Sequence, residues 1–133
     1  MKRLVKDAGL ADRFEIASAG TSREEYGSPV YPPARAELAR HGIGCKGHFA
    51  RQMTRADYGY YDWLVGMEPV NLRNMRRIVG DDPQGKMRLL LSFAGSDEAI
   101  DDPWYTDRFA EVYRQIERGC RAMLASPELK ARL

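Results

Sequence analysis

The chain has 133 residues, and its 21 Lys and Arg side chains nearly balance 19 Asp and Glu side chains, for a formal net charge of +2. This length predicts a single domain over residues 1–133 with its own hydrophobic core. Bulk charge gives no argument for binding nucleic acid or a membrane surface, so neither is an expected partner. No apolar run approaches the roughly 18 residues of a membrane span, and no signal-peptide pattern precedes the first predicted helix.

The two cysteines and two histidines show the pattern of neither a disulfide framework nor a metal site. Cys45 and Cys120 are too few for a disulfide scaffold, and they favour a reduced, cytoplasmic protein. Cys120 falls on the apolar face of a predicted helix, where a small buried side chain is expected. His41 and His48 lack the neighbouring Cys, His or Asp residues of a metal site. Glycine-rich nucleotide motifs are also absent from the sequence, so we expect neither a metal nor a cofactor.

Hydrophobic periodicity predicts the elements of the first half of the chain. Residues 1–10 have the spacing of an amphipathic helix. Residues 14–19 alternate in hydrophobicity, as a strand does. A helix is predicted over 34–41, after a loop rich in Gly and Pro. Thr54 and Asp57 have the spacing of a capping box, which predicts the start of another short helix.

The second half alternates between short apolar runs and amphipathic stretches. The runs at 63–67 and 87–91 are typical of buried strands. Between them, Pro69 begins a predicted helix at its first turn. A polar and aromatic loop at 100–107 precedes a long amphipathic helix over 109–124. Strands alternating with helices predict an α/β fold with a mostly parallel sheet, although three strands are few for a sheet covered on both faces.

Four short motifs occur in an order that is far more specific than any one of them. They are Asp-Arg-Phe-Glu-Ile-Ala-Ser-Ala-Gly-Thr-Ser at 12–22, Ala-Arg-Gln-Met-Thr at 50–54, Asn-Leu-Arg at 71–73 and Asp-Pro-Trp-Tyr at 102–105. Together they resemble the low-molecular-weight protein tyrosine phosphatases and the similar bacterial arginine phosphatases. The resemblance implies a three-layer α/β fold of flavodoxin-like order, with a mostly parallel sheet between helices on both faces.

The resemblance also implies an N-terminal segment that this sequence does not contain. Members of the family begin with a central strand, a Cys-x5-Arg-Ser/Thr loop and a helix. The loop supplies a thiolate nucleophile, while its backbone N–H groups and its Arg hold the phosphate. Met1 falls inside the helix that should follow this loop. We therefore expect a domain that is incomplete at its N-terminus, lacks the first central strand and is catalytically inactive as written.

The resemblance assigns roles to five residues. Asp102 matches the general acid that protonates the leaving phenolate, and Trp104 and Tyr105 match aromatic walls of the substrate cleft. Ser18 and Thr21 match groups that brace the phosphate loop. The residues alone leave plainer readings open, because an Asp before Pro and a Ser or Thr at a strand end are ordinary turn residues.

One Cys-x5-Arg segment does occur, at Cys45 to Arg51, but its context differs from that of the catalytic loop. A helix end and turn precede it instead of a buried strand, and Gln52 follows the Arg where Ser or Thr is required. Within it, Gly47 alone suits the backbone angles of a phosphate nest. We predict a connector at this position, without a catalytic role.

The expected function is hydrolysis of a phosphotyrosine protein or a small phosphoester by the complete site, through a phosphocysteine intermediate. A non-catalytic binding or regulatory pseudo-phosphatase is the alternative from another class. Arginine phosphatase activity also stays open. Arsenate reduction needs further cysteines after the strand at 63–67, and none occurs there. Unpaired strand edges beside the missing strand would either pair with each other or recruit a second chain, so a homodimer is predicted.

Overall fold

The computed structural model describes residues 1–21, 27–104 and 106–133. These residues form six α-helices, two 3₁₀ helices and two strands. The α-helices are α1 (Lys2–Asp7), α2 (Pro32–Arg40), α3 (Arg55–Tyr60), α4 (Pro69–Val79), α5 (Phe109–Ala125) and α6 (Pro127–Lys130). The strands are β1 (Leu64–Gly66) and β2 (Met87–Leu89), and the 3₁₀ helices span Ala11–Arg13 and Leu90–Ala94.

The sheet of the described residues consists of β1 and β2, which run parallel. Leu64 pairs with Met87, and Gly66 pairs with Leu89. Helix α4 makes the crossover between the two strands, as parallel pairing requires. Gly66 permits this helix to pack closely, because a Cβ at this position would lie 3.0 Å from the Cβ of Asn71.

Two hydrophobic clusters cover opposite faces of the sheet, because successive side chains of a strand point to opposite sides. Leu64 belongs to the first cluster and Val65 packs against the second. The first cluster contains Met53, Leu64, Met75 and Met87, with Tyr58 and Leu72 packed against it. The second contains Leu90, Leu91, Ile100 and Cys120, with Leu4, Val112 and Ile116 packed against it. Helices α3 and α4 therefore lie on one face and α1 and α5 on the other, which confirms the three-layer α/β prediction.

Most predicted elements are confirmed with small shifts of their ends. The helix predicted over 109–124 is Phe109–Ala125, and the one predicted over 34–41 is Pro32–Arg40. The capping box is present, since the backbone N–H of Thr54 donates to Asp57 Oδ2 at 2.8 Å and opens α3. Cys120 is buried, as its position on the apolar face of α5 predicts.

The strand predicted at residues 14–19 is wrong. A parallel bridge forms just beyond it, where Gly20 N–H donates to Arg51 O at 2.7 Å and Met53 N–H donates to Gly20 O at 2.8 Å. An extended segment becomes a strand only when a neighbour accepts and donates hydrogen bonds along its length. The described residues provide such a neighbour at Gly20 alone, so residues 14–19 lie outside the sheet.

No helix within the described ranges is long and apolar enough to cross a membrane.

Candidate active site

The segment of residues 100–104, called the Asp102 loop below, is anchored at the carboxyl end of β1. Ile100 is buried in the second cluster with 2% of its surface exposed, and its N–H donates to Met67 O at 2.9 Å. The turn that follows β1 is itself fixed by Asn71, whose Oδ1 accepts from the N–H groups of Met67 and Glu68 at 3.0 and 2.9 Å. In parallel α/β sheets the carboxyl ends of strands are where ligands bind.

Asp102 lies two residues beyond this anchor and is exposed. Its Oδ1 accepts from the backbone N–H of Trp104 at 2.9 Å, which fixes the carboxylate against the turn at Pro103. The other carboxylate oxygen accepts no bond from the described residues. An exposed carboxyl group held by one oxygen is well placed to donate or accept a proton with the other.

Trp104 forms an aromatic cluster with two residues from elsewhere in the chain. Its ring centroid lies 4.6 Å from that of Tyr31, which in turn lies 6.0 Å from Phe109. Tyr31 immediately precedes α2, and Phe109 begins α5. The Asp102 loop therefore contacts the start of α2 through Tyr31, and Tyr31 in turn lies near the start of α5. Tyr105, the second predicted wall residue, lies outside the described residues.

A cavity of about 220 Å³ is lined by residues of four separate segments, at 18–20, 28–30, 48 and 50–51. Ser18 Oγ and His48 Nε2 lie 3.0 Å apart and both line it. Pro29 and Val30 form part of the same wall and lead directly into Tyr31. The remaining lining residues are Ala19, Gly20, Ser28, Ala50 and Arg51. The chain thus passes from the wall of this cavity, at Val30, into the aromatic cluster, at Tyr31.

Thr21 lies apart from this cavity. Its Oγ1 accepts from Asn74 Nδ2 of α4 at 3.4 Å, a long contact that ties the end of the 14–21 segment to a helix. The structure therefore brings Ser18 to the cavity wall and places Thr21 against α4. Nearby, Gln52 pairs with Gly20 through the backbone, and its Oε1 is buried without a hydrogen-bond partner among the residues described.

His48 is the residue that the sequence interpretation missed, since it reads there as an ordinary loop residue. Its contact with Ser18 joins positions 30 residues apart. The available signal was its place two residues before the motif at 50–54, which supplies the backbone that pairs with Gly20 and Ser28.

Cys45 and Arg51 do not form a phosphate site in the described structure. Both guanidinium Nη atoms of Arg51 donate to the carboxylate of Asp57, at 3.1 and 3.2 Å. Burial alone would raise the pKa of Asp57. The hydrogen bonds from Arg51 and from Thr54 N–H together lower it by more, so the net pKa lies below the usual range. Cys45 lines a second cavity, of about 410 Å³, whose lining does not include Arg51. This arrangement supports the prediction of a connector.

Within residues 1–21, 27–104 and 106–133, no group of three His, Cys, Asp or Glu side chains lies close enough to hold a metal ion.

A family model described as low molecular weight phosphotyrosine protein phosphatase matches residues 1–132. The chain belongs to this family. It is 30% identical over 132 residues to the low molecular weight protein-tyrosine-phosphatase YfkJ of Bacillus subtilis, covering 98% of this chain and 85% of the relative. It is 34% identical to the human low molecular weight phosphotyrosine protein phosphatase, covering 92% of this chain and 80% of that protein.

Solved structures agree with the family assignment. The crystal structure of Bacillus subtilis YfkJ has a TM-score of 0.90 at 30% identity, over 97% of this chain and 82% of that one. The low molecular weight protein tyrosine phosphatase from Streptococcus pyogenes has a TM-score of 0.81 at 26% identity, over 96% and 85% of the two chains. The fold is thus that of the low-molecular-weight phosphatases.

Proposed function

We propose that this chain carries the general-acid side of a phosphotyrosine-hydrolysing site, with Asp102 as the acid. The observation that supports this best is the anchoring of the Asp102 loop, through Ile100 N–H and Met67 O, at the carboxyl end of β1. Trp104 and Tyr105 are proposed to contact the aromatic ring of the substrate. A phosphotyrosine protein or a small aryl phosphate is the proposed substrate.

In the complete site, the thiolate of the family's Cys-x5-Arg-Ser/Thr loop attacks phosphorus. As the S–P bond forms, the bond from phosphorus to the aryl oxygen breaks, and Asp102 gives its proton to that oxygen. Water then attacks the phosphocysteine, and the Asp102 carboxylate takes a proton from this water. The S–P bond breaks as this water attacks, so phosphate leaves and the thiolate is regenerated, without a metal.

The Ser18–His48 pair is proposed to brace the phosphate loop. Both side chains line the 220 Å³ cavity, and their mutual hydrogen bond fixes the orientation of the imidazole. A brace of this kind holds catalytic groups without touching the reacting atoms. Thr21 is proposed to support this region indirectly, by tying it to α4.

The 133-residue chain is proposed to be inactive by itself, because no Cys-x5-Arg-Ser/Thr segment occurs in it. Its two described thiols, Cys45 and Cys120, are free, and Cys120 is buried. Free thiols fit a reducing compartment, so the cytoplasm is the proposed location.

The test is p-nitrophenyl phosphate hydrolysis by the chain and by a fusion. The fusion places an opening strand and a Cys-x5-Arg-Ser loop of the family's form ahead of α1. We expect no turnover by the 133-residue chain and clear turnover by the fusion. In the fusion, Asp102→Asn should lower kcat by about 10²–10⁴-fold, whereas the neighbouring Asp101→Asn should have little effect.

Two results would overturn the proposal. Turnover by the chain alone that Cys45→Ser abolishes would place the nucleophile in the 45–51 segment. A folded, active fusion in which Asp102→Asn and Asp101→Asn behave alike would remove the acid role from Asp102.

A further inference from the structure

We propose that Tyr31 is a positioning residue, which holds Trp104 and through it the carboxylate of Asp102. The catalytic meaning of this inference rests on the proposed function, but the contacts that carry it are independent of it. No motif in the sequence points to Tyr31, since it falls in a Gly- and Pro-rich loop between the motifs.

Tyr31 has a restricted backbone. It lies directly before Pro32, and a residue in that position is restricted to extended backbone. Its φ of −55° and ψ of 133° agree with this restriction. Because Pro32 is also the first residue of α2, the ring projects from the start of a helix. The Tyr31 ring is therefore carried by a restricted backbone at the start of a helix.

Tyr31 contacts the Asp102 loop through aromatic packing. The rings of Tyr31 and Trp104 are 4.6 Å apart between centroids and tilted by 48°, a favourable arrangement for an aromatic pair. The Phe109 ring also lies near Tyr31, with 6.0 Å between centroids. Trp104 has no other aromatic partner among the described residues, so Tyr31 is its main side-chain restraint of this kind.

The contact is peripheral to both hydrophobic clusters. Tyr31 is 42% exposed and Trp104 is 57% exposed, and neither belongs to the core. Removing the Tyr31 ring should therefore loosen the loop locally and leave the fold in place. If Tyr31 instead served the fold, removing its ring would destabilise the whole protein and not this loop alone.

The link from Trp104 to Asp102 is a hydrogen bond. The Trp104 N–H donates to Asp102 Oδ1 at 2.9 Å. If Trp104 moves, this bond is broken for part of the time, and the carboxylate loses its fixed direction. Small misplacements of a catalytic group are costly in rate, because proton transfer needs close contact.

The first test uses the 133-residue chain and needs no turnover. In a Trp63→Phe background, Trp104 is the one tryptophan, and its acrylamide quenching reports its exposure. Tyr31→Ala should raise the quenching constant up to about twofold, and it should speed hydrogen exchange of the Trp104 amide severalfold. Tyr31→Phe keeps the ring and should restore both values.

The matched control is Tyr60→Ala, which removes an exposed ring from α3. It should change neither the quenching nor the exchange of Trp104. Should Tyr31→Ala fail to fold, Tyr31→Leu serves in its place, since it keeps bulk and removes the aromatic face. Unchanged quenching and exchange in a folded Tyr31 variant would overturn the proposal.

The second test uses the fusion described above and compares two leaving groups. A general acid matters most for a basic leaving oxygen. Tyr31→Ala should slow phenyl phosphate hydrolysis about tenfold, while 2,4-dinitrophenyl phosphate hydrolysis should slow by less than about twofold. In an Asp102→Asn background the Tyr31 effect should disappear, because the two residues act through one group.

The two tests separate the two proposals. An inactive fusion with a loosened Trp104 in Tyr31→Ala would count against the proposed function and leave the contact role of Tyr31 standing. Equal slowing of both substrates by Tyr31→Ala would overturn the positioning role while leaving phosphatase activity intact.

Discussion

Asp82 binds three groups of the chain through one carboxylate. Its Oδ1 accepts from the Tyr58 hydroxyl and from Lys86 N–H, both at 2.7 Å, and its Oδ2 accepts from Met87 N–H at 3.0 Å. Burial raises the pKa of Asp82, but these hydrogen bonds outweigh it, so the net pKa lies below the usual value. The folded state therefore favours the charged form, and Asp82 joins α3 to the start of β2.

Asp82→Asn should lower the free energy of unfolding at neutral pH by about 1–3 kcal/mol, since an amide replaces one of the two acceptor oxygens. A lowered pKa stabilises the fold above the unfolded-state value of about 3.9, and this contribution is lost as pH falls through the folded-state pKa. Urea unfolding at neutral and acidic pH should therefore show a shallower acid decline in Asp82→Asn. Asp81→Asn, at an exposed neighbour, is the control. Equal pH profiles of the two variants would contradict the prediction.

Two helices each contain a glycine, and packing between elements should decide whether replacing it with alanine stabilises or destabilises the protein. A Cβ on Gly119 of α5 would lie 2.5 Å from Leu90 Cγ, in the tight contact between α5 and the 3₁₀ helix Leu90–Ala94. A Cβ on Gly59 of α3 would meet nothing within 4 Å. The helix preference for Ala is the same at both positions, so the difference measures packing.

Gly119→Ala should therefore destabilise the protein by a net of about 1–2 kcal/mol, because overpacking exceeds the gain in helix preference. Gly59→Ala should stabilise it by about 0.5–1 kcal/mol. Thermal unfolding of the two variants provides the measurement. A higher melting temperature for both variants would show that Leu90 moves aside without cost.

At the scale of the whole molecule, β1 has an open edge. Leu64 N–H donates to Lys86 O on the side of β2. In a parallel ladder the next residue faces the opposite way, so the backbone groups of Val65 point away from β2. The described residues place no strand on that side. Open edges recruit further strands.

We therefore predict concentration-dependent dimerisation of the 133-residue chain through this edge. Sedimentation velocity over a wide concentration range should show a shift from monomer to dimer. The fusion that carries an opening strand of the family's form should remain monomeric, because its own strand would cover Val65. A chain that stays monomeric at every concentration would rule out the intermolecular pairing.

Sequence alone determined the features that depend on neighbouring residues. Helical periodicity placed α5 to within one residue at its end, and the Thr54–Asp57 spacing placed the start of α3, because caps and amphipathic faces are local. The order of four motifs determined the family and pointed to Asp102. These inferences needed no knowledge of how distant segments meet.

Tertiary structure decided whatever required distant segments to meet. The alternation of hydrophobicity at 14–19 predicted a strand. Strand formation depends on a hydrogen-bonded neighbour, and the described residues supply one only at Gly20. His48 and Tyr31 read as loop residues until the fold set them against Ser18 and Trp104. Local patterns record which face of an element is apolar. Which side chain from another element lies against it follows from the packing of the whole chain.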